Sequence, residues 1–125
     1  DYHGELIADS ASAGVIQTFK NVDRELFYAA EANLRLELMG QKIISDLLSA
    51  FFEGANAFRD GARPKTKDFP GKLYHLMSAN YRNVFEKAAK ETSPEVYPKL
   101  QLVTDYVCGM TDSFACSLHQ QLTHG

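Results

Sequence analysis

The sequence predicts an all-α protein. Three observations carry that expectation. Apolar residues recur at intervals of three and four over long stretches, no segment alternates with the two-residue period of a strand, and the helix breakers gather in a few places. At 125 residues the chain has the size of one domain, residues 1–125, and is long enough to bury a core.

The elements follow in order. Residues 1–20 are small and polar around a few apolar anchors. Leu6 and Ile7 suggest a short element, and Ser10 or Ser12 suits the cap of a helix through Val15, Ile16 and Phe19. The strongest stripe runs over residues 32–58. Leu36, Gly40, Ile43, Leu47, Phe51, Gly54 and Phe58 repeat at helical spacing, with Met39, Ile44, Leu48, Phe52 and Ala55 widening the arc. At 1.5 Å per residue such a helix is about 40 Å long, and an arc this broad predicts a central helix contacted on several sides.

Gly61, Pro64, Pro70 and Gly71 then interrupt any helix. A second helical zone starts near Lys72, with Leu73, Leu76, Met77, Tyr81, Val84, Phe85 and Ala88 at helical intervals. Thr92 and Ser93 before Pro94 read as a cap. A second long helix is expected over residues 96–122, with Pro98 in its first turn. Its wheel gathers Leu100, Val103, Val107, Met110, Phe114 and Leu118 on one side, and Asp105, Gly109, Asp112, Cys116 and His119 on the other.

Bulk properties exclude several functions. A formal charge of −3 gives no global field to recruit nucleic acid or an anionic membrane. No apolar run is long enough to span a bilayer, and no signal peptide opens the chain. Cys108 and Cys116 are too few for a disulfide framework, and on one helix they would lie roughly 12 Å apart along the axis. Free thiols suit the cytoplasm. The chain opens at Asp1 and not at a methionine, so excision or processing of a longer chain is expected.

Four residue groups are candidates for chemistry. Asp105, Asp112 and His119 share a face at intervals of seven, but each step is about 10 Å on a helix, too far for one metal ion without outside ligands. Ordinary polar contacts are the simpler reading. Gly109 in mid-helix costs about 1 kcal/mol against alanine, which predicts a neighbouring backbone passing close. The stretch from Arg59 to Lys72 holds five cations (Arg59, Arg63, Lys65, Lys67, Lys72) against Asp60 and Asp68, the one local excess of positive charge. Phe69 and Tyr74 beside it could stack on a base or anchor the core. Glu37, flanked by Arg35 and Lys42, is expected to pair with a cation. His3, His75, His119 and His124 form no metal-binding pattern, and no P-loop, dinucleotide fingerprint or nucleophile elbow is present.

One segment is far more specific. Asp105-Tyr106-Val107-Cys108-Gly109-Met110-Thr111-Asp112, followed by Phe114-Ala115, resembles the Asp-Tyr-x-x-Gly-Met-Thr-Asp signature of deoxyguanosine triphosphate triphosphohydrolases, of the His-Asp phosphohydrolase superfamily. Lys20-Asn21-Val22, the Leu36–Ile44 segment with its Glu37 and Gly40, Asp68-Phe69-Pro70 and Leu73-Tyr74-His75 are similar to that family in the same order.

The resemblance implies a hydrolase that splits dGTP or another deoxynucleoside triphosphate into deoxynucleoside and tripolyphosphate. It implies that this chain is the C-terminal part of a larger all-helical, oligomeric enzyme. The divalent metal (magnesium or manganese) would be bound by a His…His-Asp…Asp set outside this sequence, leaving this part inactive by itself. By position it assigns Lys65 and Lys72 to the phosphate side of the substrate and Glu37 to the vicinity of the base. Asp105, Tyr106, Gly109, Met110, Thr111 and Asp112 read as a structural motif. Two rivals stand beside this reading: a helical subunit-assembly module, and a single-stranded DNA site on the basic loop.

Overall fold

The computed structural model describes residues 12–91 and 95–124. The expected element at Leu6 and Ile7, a cap at Ser10, and the cap at Thr92–Pro94 lie outside the described residues. The chain is all-α, with five helices among the described residues: α1 (Ala13–Asn56), α2 (Phe69–Leu76), α3 (Ala79–Glu91), α4 (Val96–Cys108) and α5 (Asp112–His124). Among the described residues there is no strand, and only an isolated bridge joins Arg59 to Ala62. No helix among them is long and apolar enough to cross a membrane. Two units make up the chain, residues 1–39 and 40–125.

Helix boundaries depart from the expected ones in three places. The first long helix begins at Ala13 and not near residue 32. No proline interrupts residues 13–31, and the Ser12 carbonyl accepts the Ile16 amide to open the helix. The second helical zone is cut at Met77, which adopts extended backbone, giving α2 and α3.

The third departure concerns residues 96–122, expected as one helix and found as two. Gly109 ends α4, and its amide is held by the carbonyl of Asp105. Thr111 caps α5: its Oγ1 accepts the Phe114 amide at 3.3 Å, and Asp112 in the first turn complements the helix dipole. The expected shared face of Asp105, Gly109, Asp112, Cys116 and His119 is therefore not a face of one helix, and the 12 Å separation of the cysteines loses its basis. Pro98 does sit in the first turn of α4, buried.

In residues 40–125 the core forms around the C-terminal part of α1. Leu47, Phe51, Phe58, Leu73, Tyr74 and Met77 are fully buried, and Phe85, Leu102, Val103, Val107 and Leu118 complete the cluster from α3, α4 and α5. Phe58 stacks on Tyr74 and meets Phe85 edge-on, while Phe51 meets Tyr106 edge-on. Gly54 is small where α1 crosses α2, because a Cβ there would stand 2.9 Å from the Leu73 Cβ and 3.0 Å from the Tyr74 amide nitrogen.

The expected burial of the whole stripe holds only in part: Ile43, Leu47, Phe51, Gly54 and Ala55 are buried, while Ile44 is half exposed. In residues 13–39 Phe19, Leu26, Leu36 and Met39 are exposed. On α4 the buried residues are Pro98, Leu102, Val103 and Val107, while Leu100 on α4 and Phe114 on α5 are half exposed. Gly109 is approached by the Tyr81 hydroxyl, 2.9 Å from where a Cβ would stand, and by the Asp105 carbonyl of its own helix. Among the described residues the nearest atoms there are the Tyr81 hydroxyl and carbonyls of its own helix, and not the backbone of another segment, since the glycine closes a helix end.

Candidate functional site: a basic cleft on a clasped loop

The loop of residues 57–68 leaves α1 through two short backbone bonds, Ala57 to Gly54 and Phe58 to Ala55. It reverses at Arg59-Asp60-Gly61-Ala62, where Asp60 and Gly61 both take positive φ (52° and 72°) and the Ala62 amide reaches the Arg59 carbonyl at 2.9 Å. Asp-Gly is the dipeptide that tolerates two consecutive positive φ angles. The loop then runs through Pro64 into α2, where Asp68 precedes the helix and Pro70 sits in its first turn.

Three fastenings hold this loop. Arg63 donates through Nε and Nη2 to the two oxygens of Glu86 on α3, at 2.7 and 2.8 Å. The buried Tyr74 hydroxyl donates to the same carboxylate at 2.7 Å. The Pro64 carbonyl is met by Nε2 of His75 at 2.8 Å. Gly71 provides the last contact, because the Lys65 carbonyl lies in the space a Cβ would occupy.

Charge follows from these contacts. The hydrogen bond from Arg63 holds the Glu86 carboxyl below the usual range of a glutamate, against the opposing effect of partial burial. Burial, reinforced by donation to Glu86, pushes the Tyr74 phenol far above its ordinary value, so it is a fixed neutral donor.

Between the loop and the end of α1 lies a cleft of about 670 Å³ lined by Glu53, Asn56, Arg59, Lys65, Lys67 and Asp68, among others. Three cations face two carboxylates there. Lys65 is among the lining residues; Lys72, on α2, is not. Arg59 and Lys67, part of the basic stretch but not singled out, take its place. Tyr74 is fully buried and unavailable for stacking, whereas Phe69 is about half exposed.

The other candidates lie elsewhere. Glu37 belongs to the unit of residues 1–39 and makes no ion pair among the described residues; Arg35 instead pairs with Glu31, and Lys42 with Asp46. His119 reaches Asp46 at 2.8 Å, tying α5 to α1. Lys42 first, and His119 next, hold the Asp46 carboxyl below its ordinary range. Asp105, Gly109, Met110, Thr111 and Asp112 form the corner between α4 and α5, and Tyr106 from α4 donates to the Leu76 carbonyl at 3.4 Å. Among the described residues no three His, Cys, Asp or Glu side chains converge to hold a metal ion. The described residues offer no ligand set for the divalent metal that the resemblance implies.

The phosphohydrolase-associated domain family matches residues 8–121. The chain belongs to that family. A deoxyguanosinetriphosphate triphosphohydrolase-like protein of Listeria monocytogenes is 33% identical to this phosphohydrolase-associated domain over 124 residues, covering 97% of it and 26% of the relative. Deoxyguanosinetriphosphate triphosphohydrolases of Klebsiella pneumoniae and Cronobacter sakazakii are 26% and 28% identical, each alignment covering 96% of this domain and 27% of the relative. The domain thus spans about a quarter of the length of the curated relatives it matches, in line with the resemblance read from the octapeptide. No solved structure matches it.

Proposed function

We propose that this chain is the C-terminal part of a deoxynucleoside triphosphate triphosphohydrolase, and that its cleft takes phosphate oxygens of the substrate or of the tripolyphosphate product. One observation carries the reading: Arg59, Lys65 and Lys67 share a cleft on a loop held in place by Glu86, His75 and Gly71, in a chain whose relatives carry that name. Cations carried on a loop already held in place lose less freedom on meeting negative charge, which favours electrostatic stabilisation. The assignment of Glu37 to the base, of Lys72 to a further phosphate contact, and of homo-oligomers rests on the resemblance, and a cytoplasmic location on the free thiols Cys108 and Cys116. The metal-dependent step belongs to residues outside this chain.

The test is made in the full-length protein. Removing Lys65 or Lys67 as alanine should lower kcat/KM for a deoxynucleoside triphosphate about ten- to a hundredfold, the scale of a lost hydrogen bond to a charged group at about 1.5–3 kcal/mol. Melting should hardly move, since both side chains are exposed. Lys72→Ala should have the smaller kinetic effect. Unchanged kinetics in both cleft variants would remove the phosphate assignment.

A second reading is favoured by a separate observation. Val15, Phe19, Val22 and Leu26 follow one another at intervals of three and four on α1, each exposed. Such a row suits subunit assembly, through which the family's oligomers would form.

A further inference from the structure

The contacts around His75 fix its chemistry. Nη1 of Arg82, on α3, lies 3.2 Å from Nδ1 of His75. A guanidinium only donates, so Nδ1 carries no proton and accepts. The remaining proton is on Nε2, which faces the Pro64 carbonyl at 2.8 Å and donates to it. Arg82 is itself placed by the Tyr74 ring, its guanidinium carbon 5.7 Å from the ring centroid. Its Nε is buried without a partner among the described residues, so the bond to His75 is the directional contact that orients the group.

The carbonyl that His75 holds is one residue before Lys65, and the next carbonyl, that of Lys65, is seated on Gly71. Two consecutive peptide oxygens are thereby fixed where the chain enters the cleft wall. We propose that His75, oriented by Arg82 so that Nε2 donates to the Pro64 carbonyl, is the positioning residue for Lys65: by gripping that carbonyl it sets where the lysine can meet a phosphate. The role rests on the triphosphate reading of the cleft. His75 touches no reacting atom. It works by removing the freedom of a loop whose cations would otherwise be ordered at the expense of binding.

The experiment measures binding of inorganic tripolyphosphate to the full-length protein by titration calorimetry, with KM and kcat for a deoxynucleoside triphosphate alongside. His75→Ala should weaken tripolyphosphate binding about tenfold and raise KM while leaving kcat nearly intact, the pattern of lost pre-organisation. His75→Gln should restore binding, because its side-chain amide can still donate to the Pro64 carbonyl. A role in stability alone would not produce that split.

If Lys65→Ala loses binding but His75→Ala and His75→Gln bind like the parent, the positioning role is refuted and the cleft reading stands. If Lys65→Ala binds normally, the positioning role is refuted with it; if Lys67→Ala does so too, the cleft reading itself has failed. Should His75→Ala not fold, two measurements still decide. A glutamine variant that folds and binds no better than a tenth as well would refute the proposal. So would nitrogen-15 shifts of the wild-type imidazole showing a proton on Nδ1 at neutral pH.

Discussion

Three glycines in helices should respond to the same substitution with different signs. At Gly71 an added Cβ would overlap the Lys65 carbonyl oxygen and stand 2.7 Å from Asp68 Oδ1. The obstacle is backbone, held by the turn into α2, so it cannot rotate away. Gly71→Ala should therefore cost about 1–3 kcal/mol or more, the range for forcing atoms into a filled site. At Gly54 the nearest obstacles are the Leu73 Cβ at 2.9 Å and the Tyr74 amide nitrogen at 3.0 Å. A shift of a few tenths of an ångström between α1 and α2 relieves them. The helix-propensity gain of about 1 kcal/mol offsets part of the strain, leaving a smaller net loss.

Gly40 has nothing within 4 Å of its absent Cβ. Only backbone entropy and propensity change there, so Gly40→Ala should stabilise the chain by about 0.5–1 kcal/mol. Urea unfolding of the 125-residue chain, followed by circular dichroism at 222 nm, measures all three. The expected order of midpoints is Gly40→Ala above the parent, then Gly54→Ala, then Gly71→Ala lowest. A Gly71→Ala variant as stable as the parent would mean that the Lys65 carbonyl is not seated there, and the account of the clasped loop would fall with it.

Two further outcomes are expected. Glu86 has a folded pKa below the ordinary 4.5 of a glutamate, so the folded state binds fewer protons than the unfolded one, and acid favours unfolding. Its contribution should be full above about pH 4.5 and disappear as the pH falls through the depressed value; Glu86→Gln should flatten the urea midpoint over that window, and an unchanged slope would show that the Arg63 and Tyr74 bonds do not persist in solution. Phe19→Glu with Leu26→Glu should shift the full-length protein toward smaller species in sedimentation velocity if residues 13–39 assemble subunits. A sedimentation profile identical to the parent's would remove that second reading.

Much of the helical architecture was legible because helix formation is dominated by local spacing and by breakers. The stripe of Ile43, Leu47 and Phe51, the interruption after Phe58, and Pro98 in a first turn were all readable in this way. The early part of α1 was as readable as the rest, since Val15, Phe19, Val22 and Leu26 continue the stripe and no proline intervenes. The break at Gly109–Thr111 was hidden for the opposite reason. Val107, Met110, Phe114 and Leu118 keep three- and four-residue spacing across a turn that is too short to disturb it, although Gly109 and Thr111 have the chemistry of a stop and a start.

The site depended on contacts between residues far apart in the chain. Composition marked the stretch from Arg59 to Lys72 as basic, and the octapeptide pointed to the family. Neither could tell that Lys65 lines the cleft while Lys72 does not, or that Arg63 is occupied by Glu86, 23 residues away. Burial behaved likewise: Tyr74 and Phe69 are five residues apart and equally aromatic, yet one is fully buried and the other half exposed. Local sequence determines which backbone groups satisfy each other within a helix, and so determines the helices. Which side chains lose their water is decided by surfaces contributed from distant segments, and only the tertiary structure brings those together.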